Sequence, residues 1–200
     1  KPDRSPGLEP ASGPKPHLNE GSVQFPAGLH YDKTHTWAFM EQNGTVRVGI
    51  DDFLQKITGT LTRLKMKKVG ENVRKNDPVL WLIQDGKQLT VYSPVSGTIK
   101  SVNEGLARHP EKINESPYGD GWCYSIEPSN WEREVQFLKM AEGFRDWLRF
   151  EFVRLKDFLA VMAVGSEIKN QQVVFQDGGE LLGHVLKNFG PEVWEEFQKN

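Results

Sequence analysis

The chain has 200 residues, a length that suits one large domain or two small ones and leaves enough chain for a hydrophobic core. Its 25 basic and 27 acidic residues give a net charge of −2, and none of its basic runs is long enough to follow a phosphate backbone, so nucleic acid is not expected as a partner. The single cysteine, Cys123, excludes an internal disulfide and a thiolate zinc cage and suits a reducing compartment, so we expect a cytoplasmic protein.

The N-terminal segment is rich in proline and glycine and holds few apolar residues, which predicts a flexible linker over residues 1–25. Because the chain begins at Lys1 rather than at methionine, we expect a segment upstream of it. An anchor in that segment would tether the domain to a membrane, although a plain tail is the favoured alternative. Within the chain, apolar stretches such as residues 158–164 are far shorter than the roughly 18 to 20 residues that a bilayer span needs.

Residues 26–130 are interrupted at short, regular intervals by turn signals such as Asp85-Gly86, a spacing typical of a compact all-β domain. The predicted strands are short β-rich runs between these turns, at residues 36–40, 45–50, 60–64, 79–84, 88–92, 98–102 and 122–126.

Two short helices are expected among these strands. One follows Asp51, which can cap its N-terminus, and ends at Gly59; the other lies near residues 104–107. A weak internal repeat, in which residues 58–61 and 96–99 each place a turn before a strand, favours a quasi-twofold sandwich of two sheets.

Residues 131–200 have a different character, because apolar residues recur at helical spacing from Trp131 to Leu148. Ser129 or Asn130 can cap this predicted helix. The remaining predicted features are an apolar run at 158–164, a strand at 172–175, a turn at 177–179, a helix over 180–190 and another helix that begins at Pro191. The pattern predicts a small α/β extension.

The strongest local signal is Asp85-Gly86 between strands 79–84 and 88–92, which predicts a hairpin closed by a two-residue turn with positive φ at both positions. Alternation along the strands places Lys87 on one face with four apolar residues, at the exposed end of that face, with its amine in water. The predicted facing pairs are Gln84/Lys87, Ile83/Gln88, Leu82/Leu89, Trp81/Thr90, Leu80/Val91 and Val79/Tyr92.

Several segments between residues 28 and 131 resemble, in combination, the H protein of the glycine cleavage system, a member of the biotinyl/lipoyl-carrier group. The matching segments are HYDKTHTW (30–37), NGTVRVGI (43–50), KKVGENV (67–73), YSPVSGTIKSVNE (92–104) and INESPYGDGW (113–122). In that family the last two usually read much like YSPVSGEVVEVNE and VNEDPYGEGW. The resemblance implies a mainly β fold over residues 26–130, a lipoyl-type β-sandwich of the barrel-sandwich hybrid kind with added short helices, followed by the α/β extension.

The resemblance also implies a carrier rather than a catalyst, because in that family a lysine at the hairpin tip is amide-linked to lipoic acid, whose dithiolane ferries an aminomethyl group between partner enzymes. The family writes this turn as E-S-V-K-A. A gapless count from Gly70 places the family's lysine at Gly86, its acidic residue at Ile83 and its following alanine at Lys87, and keeps Tyr92 in register. The attachment lysine and its surroundings, which lipoyl-attaching enzymes read, are therefore altered.

Two hypotheses follow from this substitution. In the first, which we favour, the domain carries no cofactor and acts as a non-enzymatic interaction module within a larger multienzyme or redox assembly, with residues 131–200 as a docking surface. In the second, Lys87 is a displaced attachment point for lipoate, and the protein is a working carrier of an aminomethyl or redox group. Both hypotheses predict protein partners and no enzymatic activity, with membrane contact only through an upstream anchor.

The remaining polar residues form no recognisable catalytic pattern in the sequence. The five histidines lack ligand spacing with cysteine or paired carboxylates, so no metal site is expected. We expect His35 to be packed or hydrogen-bonded and Cys123 to be a buried, inert thiol within a strand. The adjacent acids Asp51 and Asp52 are explained by helix capping and by the helix dipole.

Overall fold

The computed structural model describes residues 17–165 and 181–199. The strands within these ranges, in chain order, are β1 (His17–Leu18), β2 (His30–Asp32), β3 (Thr36–Met40), β4 (Val46–Ile50), β5 (Arg63–Met66), β6 (Asn72–Val73), β7 (Pro78–Gln84), β8 (Lys87–Tyr92), β9 (Gly97–Val102), β10 (Tyr124–Pro128) and β11 (Leu181–Leu182).

Among the described residues, helices are few and short in the first two thirds of the chain and dominate the last third. The α-helices are α1 (Asp52–Thr58), α2 (Gly105–Arg108), α3 (Lys112–Glu115), α4 (Trp131–Glu134), α5 (Ala141–Gly165) and α6 (Pro191–Lys199). Short 3₁₀ helices cover Glu20–Ser22, Val135–Phe137 and Val185–Asn188. In the part of the chain that the structure describes, no helix combines the length and the apolar character that a membrane crossing requires.

Two sheets form the body of the protein. The larger has six strands in the order β2-β3-β4-β10-β9-β6, and the smaller has three in the order β5-β7-β8, so that β8 is an edge strand. All of the pairings within them are antiparallel, which matches the short turns predicted between the strands. A separate two-stranded ladder joins β1 to β11.

The predicted start and end of α1 are confirmed. The Asp51 carboxylate accepts a hydrogen bond of 2.8 Å from the backbone N–H of Leu54, which satisfies one of the free donors at the helix N-terminus. At the other end, Gly59 adopts a φ of 77° and its N–H donates to the carbonyl of Gln55. The strand predicted at 60–64 begins later, at Arg63, because the chain must first leave this helix.

One apolar cluster joins both sheets to α5 and α6, so the hydrophobic core continues across residue 130. Trp37 and Tyr31 are fully buried in the sandwich, and Phe144 and Trp194 are fully buried in the extension. Burial of each such side chain contributes roughly 1.5 to 3 kcal/mol relative to exposure. The extension is therefore packed into the fold rather than appended to it.

Part of the segment predicted to be a flexible linker is folded. Residues 17–18 pair with β11, and Asn19 caps the following 3₁₀ helix through reciprocal side-chain hydrogen bonds. Leu18 and Val23 are buried. The composition of this segment gave no sign of a partner, because the partner strand lies near the other end of the sequence. Residues 1–16, the rest of the predicted linker, lie outside the described range.

The helix predicted from Trp131 to Leu148 is interrupted. Leu138 has an extended conformation, and Lys139 exchanges backbone hydrogen bonds of 2.7 and 2.8 Å with Tyr31. This short bridge replaces helical hydrogen bonds with sheet-like ones, so tertiary pairing overrides the helical periodicity. The helix resumes as α5, which also absorbs the apolar run at 158–164.

The helix predicted over residues 180–190 is replaced by β11 and a 3₁₀ helix. Between them His184 has a φ of 60°, and its N–H donates to the carbonyl of Lys56 at the end of α1. The helix predicted to begin at Pro191 is confirmed as α6. The strand predicted at 172–175 and the turn at 177–179 lie outside the described residues.

Candidate functional site

The β7–β8 hairpin has the predicted two-residue turn. Asp85 and Gly86 have φ values of 48° and 82°, as a turn of this type requires. The five predicted pairs nearest the turn are confirmed. The sixth is wrong, because an irregularity around Val79 shifts the register and places Tyr92 opposite Pro78.

Gly86 stands at the tip of this hairpin, where the family resemblance places the carrier lysine. A Cβ atom added to Gly86 would meet no atom of the described residues within 4 Å, so their packing does not select glycine here. The backbone does, because a φ of 82° is disfavoured for residues with a side chain. The tip therefore has no amine and has a backbone conformation that suits glycine.

Lys87 is buried, and the expectation that it would be exposed is wrong. The residue is 8% exposed, and its Nζ donates a hydrogen bond of 2.7 Å to the backbone carbonyl of Lys187. The same Nζ lies 5.4 Å from the centroid of the Trp194 ring, within cation–π range. Burial lowers the pKa of Lys87, with Asp85 acting in the opposite direction. Strand alternation identified the correct face, but it gave no sign that α6 and the turn before it cover that face.

The C-terminal helix also covers the edge of strand β8. The side-chain oxygen of Gln198 accepts a hydrogen bond of 2.6 Å from the backbone N–H of Thr90, and its nitrogen donates to the carbonyl of Gln88 at 3.3 Å. Trp194 is fully buried, and its Nε1 donates to the carbonyl of Leu186 at 2.8 Å. An open strand edge is a natural place for another chain to bind, and here side chains of the same chain occupy it.

A second polar cluster connects the sandwich to α5. His35 is buried between two carboxylates, with Nδ1 at 2.9 Å from Asp51 and Nε2 at 3.5 Å from Glu151. The imidazole stacks on Phe53, and Glu151 is held in turn by Arg154. The expectation of a hydrogen-bonded imidazole at His35 is confirmed, but its partner on α5 was missed because nothing local links residues so far apart.

The charges of this cluster are mutually stabilised. Burial opposes protonation of His35, but the two neighbouring carboxylates, Asp51 first, outweigh it and raise its pKa to about 9. For Glu151 burial again favours the neutral form, and hydrogen bonds from His35 and Arg154 outweigh it and lower its pKa to about 2. The cluster therefore carries a buried imidazolium between carboxylates near neutral pH.

The other residues considered in the sequence have structural roles. Cys123 is buried as predicted, and burial raises the pKa of its thiol to about 12, which leaves it a poor nucleophile. Asp51 caps α1, and Asp52 accepts from the backbone N–H of Gln24 at 2.8 Å. Within residues 17–165 and 181–199, no group of three or more His, Cys, Asp or Glu residues is placed to hold a metal ion.

Comparison with known proteins agrees with the sequence motifs. The family model described as glycine cleavage H-protein matches residues 29–149. A probable glycine cleavage system H protein of Pyrococcus horikoshii is 43% identical over 133 residues, which cover 66% of this chain and 98% of that protein. The glycine cleavage system H protein of Stenotrophomonas maltophilia is 43% identical over 115 residues, which cover 58% of this chain and 88% of that protein.

A solved structure supports the fold in the same way. The crystal structure of a glycine cleavage system H protein from Mycobacterium marinum superposes with a TM-score of 0.56 at 27% identity, and the match covers 62% of this chain and 98% of that chain. The predicted fold class, a lipoyl-type β-sandwich with added helices, is thereby confirmed. The match to the family model ends within α5, ahead of the segment that covers Lys87.

Proposed function

Because the chain belongs to the glycine cleavage H-protein family, whose model matches residues 29–149, we propose that it is an H-like protein without a lipoyl arm that acts as a protein-interaction module. The observation that carries this proposal is the burial of Lys87 beneath the C-terminal segment. Family membership itself confirms the predictions that the chain is H-protein-like and that it is not an enzyme, since H proteins are carriers rather than catalysts.

Lipoate, the group that this family normally carries, does not fit the hairpin as it stands. Attachment requires an amine that can leave the protein surface, and Gly86 has none. The amine of Lys87 donates to the carbonyl of Lys187 and lies over Trp194. Conversion of this amine to an amide would remove the charge from the ring face and would place the acyl chain where α6 is packed. Both effects support the loss of the arm.

The partners we propose are proteins of the assembly that the family serves, the glycine cleavage system or a related multienzyme complex. The extension offers a surface for them, because three large apolar residues on one side of α5 remain exposed. These are Phe150, Val153 and Val161, with exposed fractions of 74%, 58% and 66%. Apolar groups clustered in this way are typical of protein contacts.

The absence of the arm is tested by the intact mass of the chain isolated from its own organism. We expect the unmodified mass while other lipoyl proteins of the same cells are modified. A lipoyl adduct mapped to Lys87 by peptide fragmentation would overturn the proposal and establish the alternative, a working carrier.

The interaction role is tested in the glycine cleavage reaction of the same organism, reconstituted with its lipoylated H protein. Added alone in place of that protein, our chain is expected to support no turnover. Added in excess beside it, the chain is expected to inhibit by occupying shared partners, and Phe150→Ser is expected to weaken the inhibition. Lys100→Gln, which changes an exposed residue on β9, is the matched control. Turnover with the chain alone, or no inhibition at any excess, would refute the role.

A further inference from the structure

A cavity of about 370 Å³ lies between the sandwich and the extension, within the size range of small-molecule sites. Its walls come from the turn between β2 and β3, from α1 and β8, and from α5 and α6. Four large side chains make these walls mainly apolar: Leu54, Leu89, Trp147 and Phe197. Five of the twelve lining residues therefore belong to the extension, beyond the ordinary sandwich.

The acidic groups at this cavity are already engaged. Glu151 lines it, but its carboxylate accepts hydrogen bonds from Arg154 and faces the protonated His35. His35 in turn is paired with Asp51, which lies behind it. The walls thus offer a ligand no free carboxylate from this cluster, and a cationic ligand would find its charge uncompensated.

Several hydrogen-bond donors line the cavity as well. Lys33, Tyr92 and Trp147 line it, and none of their side chains has a hydrogen-bond partner among the described residues. Arg154 also lines it and keeps a buried Nη1 that is likewise without a partner in that part of the chain. Within the described residues, the site therefore combines apolar walls with donors that have no hydrogen-bond partner, and Lys33 supplies a positive charge that forms no ion pair there.

We propose that this cavity binds a small monocarboxylate with an apolar tail, the carboxylate accepting from Lys33, Tyr92 and Trp147. One negative charge matches the ammonium group of Lys33, the one lysine among the described lining residues, whereas a dianion such as a phosphate monoester would bring a second charge against apolar walls. The site includes neither Gly86 nor Lys87, so the proposal stands or falls independently of lipoylation.

The test uses the full chain with octanoate as the probe and octanamide, which has the same tail without the charge, as its control. The indole N–H resonance of Trp147, assigned from Trp147→Phe, is followed by two-dimensional NMR during each titration. We expect a saturable shift with octanoate in the millimolar range and about tenfold weaker binding of octanamide, since a charged hydrogen bond discriminates by at least that factor. Equal binding of both, or no saturable shift with octanoate, would overturn the proposal.

Two substitutions locate the carboxylate. Lys33→Gln changes an exposed side chain and should weaken octanoate about threefold or more without affecting octanamide. Tyr92→Phe keeps the ring and removes only the hydroxyl, with a similar effect expected. Lys100→Gln, which lies outside the cavity, should leave both affinities unchanged. Unchanged octanoate affinity in both Lys33→Gln and Tyr92→Phe would refute the assigned binding mode.

Discussion

The sandwich and the C-terminal segment of residues 181–199 are held by different forces. The sandwich strands are joined by continuous backbone ladders, as in β3–β4 and β9–β10. The C-terminal segment makes a two-stranded ladder with β1 and one backbone hydrogen bond to α1. It is otherwise attached mainly through side chains, above all those of the buried Trp194 and of Gln198, which lies on the edge of β8. A short segment can thus cover a strand edge and a lysine side chain while the sandwich beneath it keeps its own backbone ladders.

Lys87 shows how the two regions depend on each other. Its strand position is set by the hairpin, but its hydrogen-bond acceptor and its aromatic neighbour both come from the C-terminal segment. A buried cation is tolerated only when such partners are supplied. Four substitutions test the hairpin and the contacts that the sandwich makes with α5 and with the C-terminal segment.

The largest effect is expected from Trp194→Ala, which removes a fully buried indole from the C-terminal segment. Truncation of such a side chain costs about 3 to 5 kcal/mol. We expect the loss to appear in urea unfolding and as faster amide exchange in α6, while Lys87 becomes reactive towards acetic anhydride. Val161→Ala, at an exposed site on α5, should change stability by less than about 0.5 kcal/mol. Slow acetylation of Lys87 in folded Trp194→Ala would show that α6 is not what protects the amine.

The next effect is a dependence of stability on pH, which arises from the contact between the sandwich and α5. The pKa of His35 in the folded state, about 9, lies above its ordinary value of 6.5. The protonated imidazole therefore stabilises the folded protein fully below about pH 6.5, and this stabilisation is lost as the pH rises through about 9. The expected decrease in the free energy of unfolding over this window is about 3 kcal/mol. Free energies of unfolding in urea, measured across this window, report it.

His35→Asn is the control for this titration, because asparagine tolerates the φ of 62° at this position and does not titrate. The variant should be less stable than the parent at pH 6.5 and nearly as stable at pH 10. Parallel pH profiles for the two proteins would contradict the assigned role of the imidazolium.

A smaller loss is expected from Lys87→Met, which leaves the carbonyl of Lys187 without its donor at a part-buried site. The expected cost is about 1 to 3 kcal/mol. Lys65→Met is matched to it, because Lys65 lies 4.9 Å from the centroid of the Trp81 ring but is exposed, and its loss should cost about 1 kcal/mol at most. Equal losses of stability in the two variants, measured by urea unfolding, would mean that the hydrogen bond to the carbonyl of Lys187 does not stabilise the fold.

The smallest effect is expected from Gly86→Lys, which returns an amine to the hairpin tip. The positive φ should cost about 1 kcal/mol, since no atom obstructs the new side chain. Gly44→Lys has the same kind of backbone and the same open space, so both variants should lose similar stability in thermal unfolding. A much larger loss at Gly86 would show that the C-terminal segment extends over the tip.

The hairpin illustrates how far the sequence predicted the site. Asp85-Gly86 determined the turn, and strand alternation determined the five facing pairs nearest to it, because both are local rules of backbone geometry. The shift near Val79 was missed, since a strand irregularity has no reliable local signal. The exposure assigned to Lys87 was wrong because burial depends on residues about a hundred positions away.

The sequence by itself determined the sandwich, the capped helix α1 and the family, since each is specified by residues close together in the chain. Only the tertiary structure decided that residues 17–25 fold, that the helix after Trp131 breaks at Leu138, and that α6 encloses Lys87. The physical reason is common to all three. In each case the segment satisfies its polar groups and buries its apolar groups against partners distant in the chain, and local propensity carries no information about such partners.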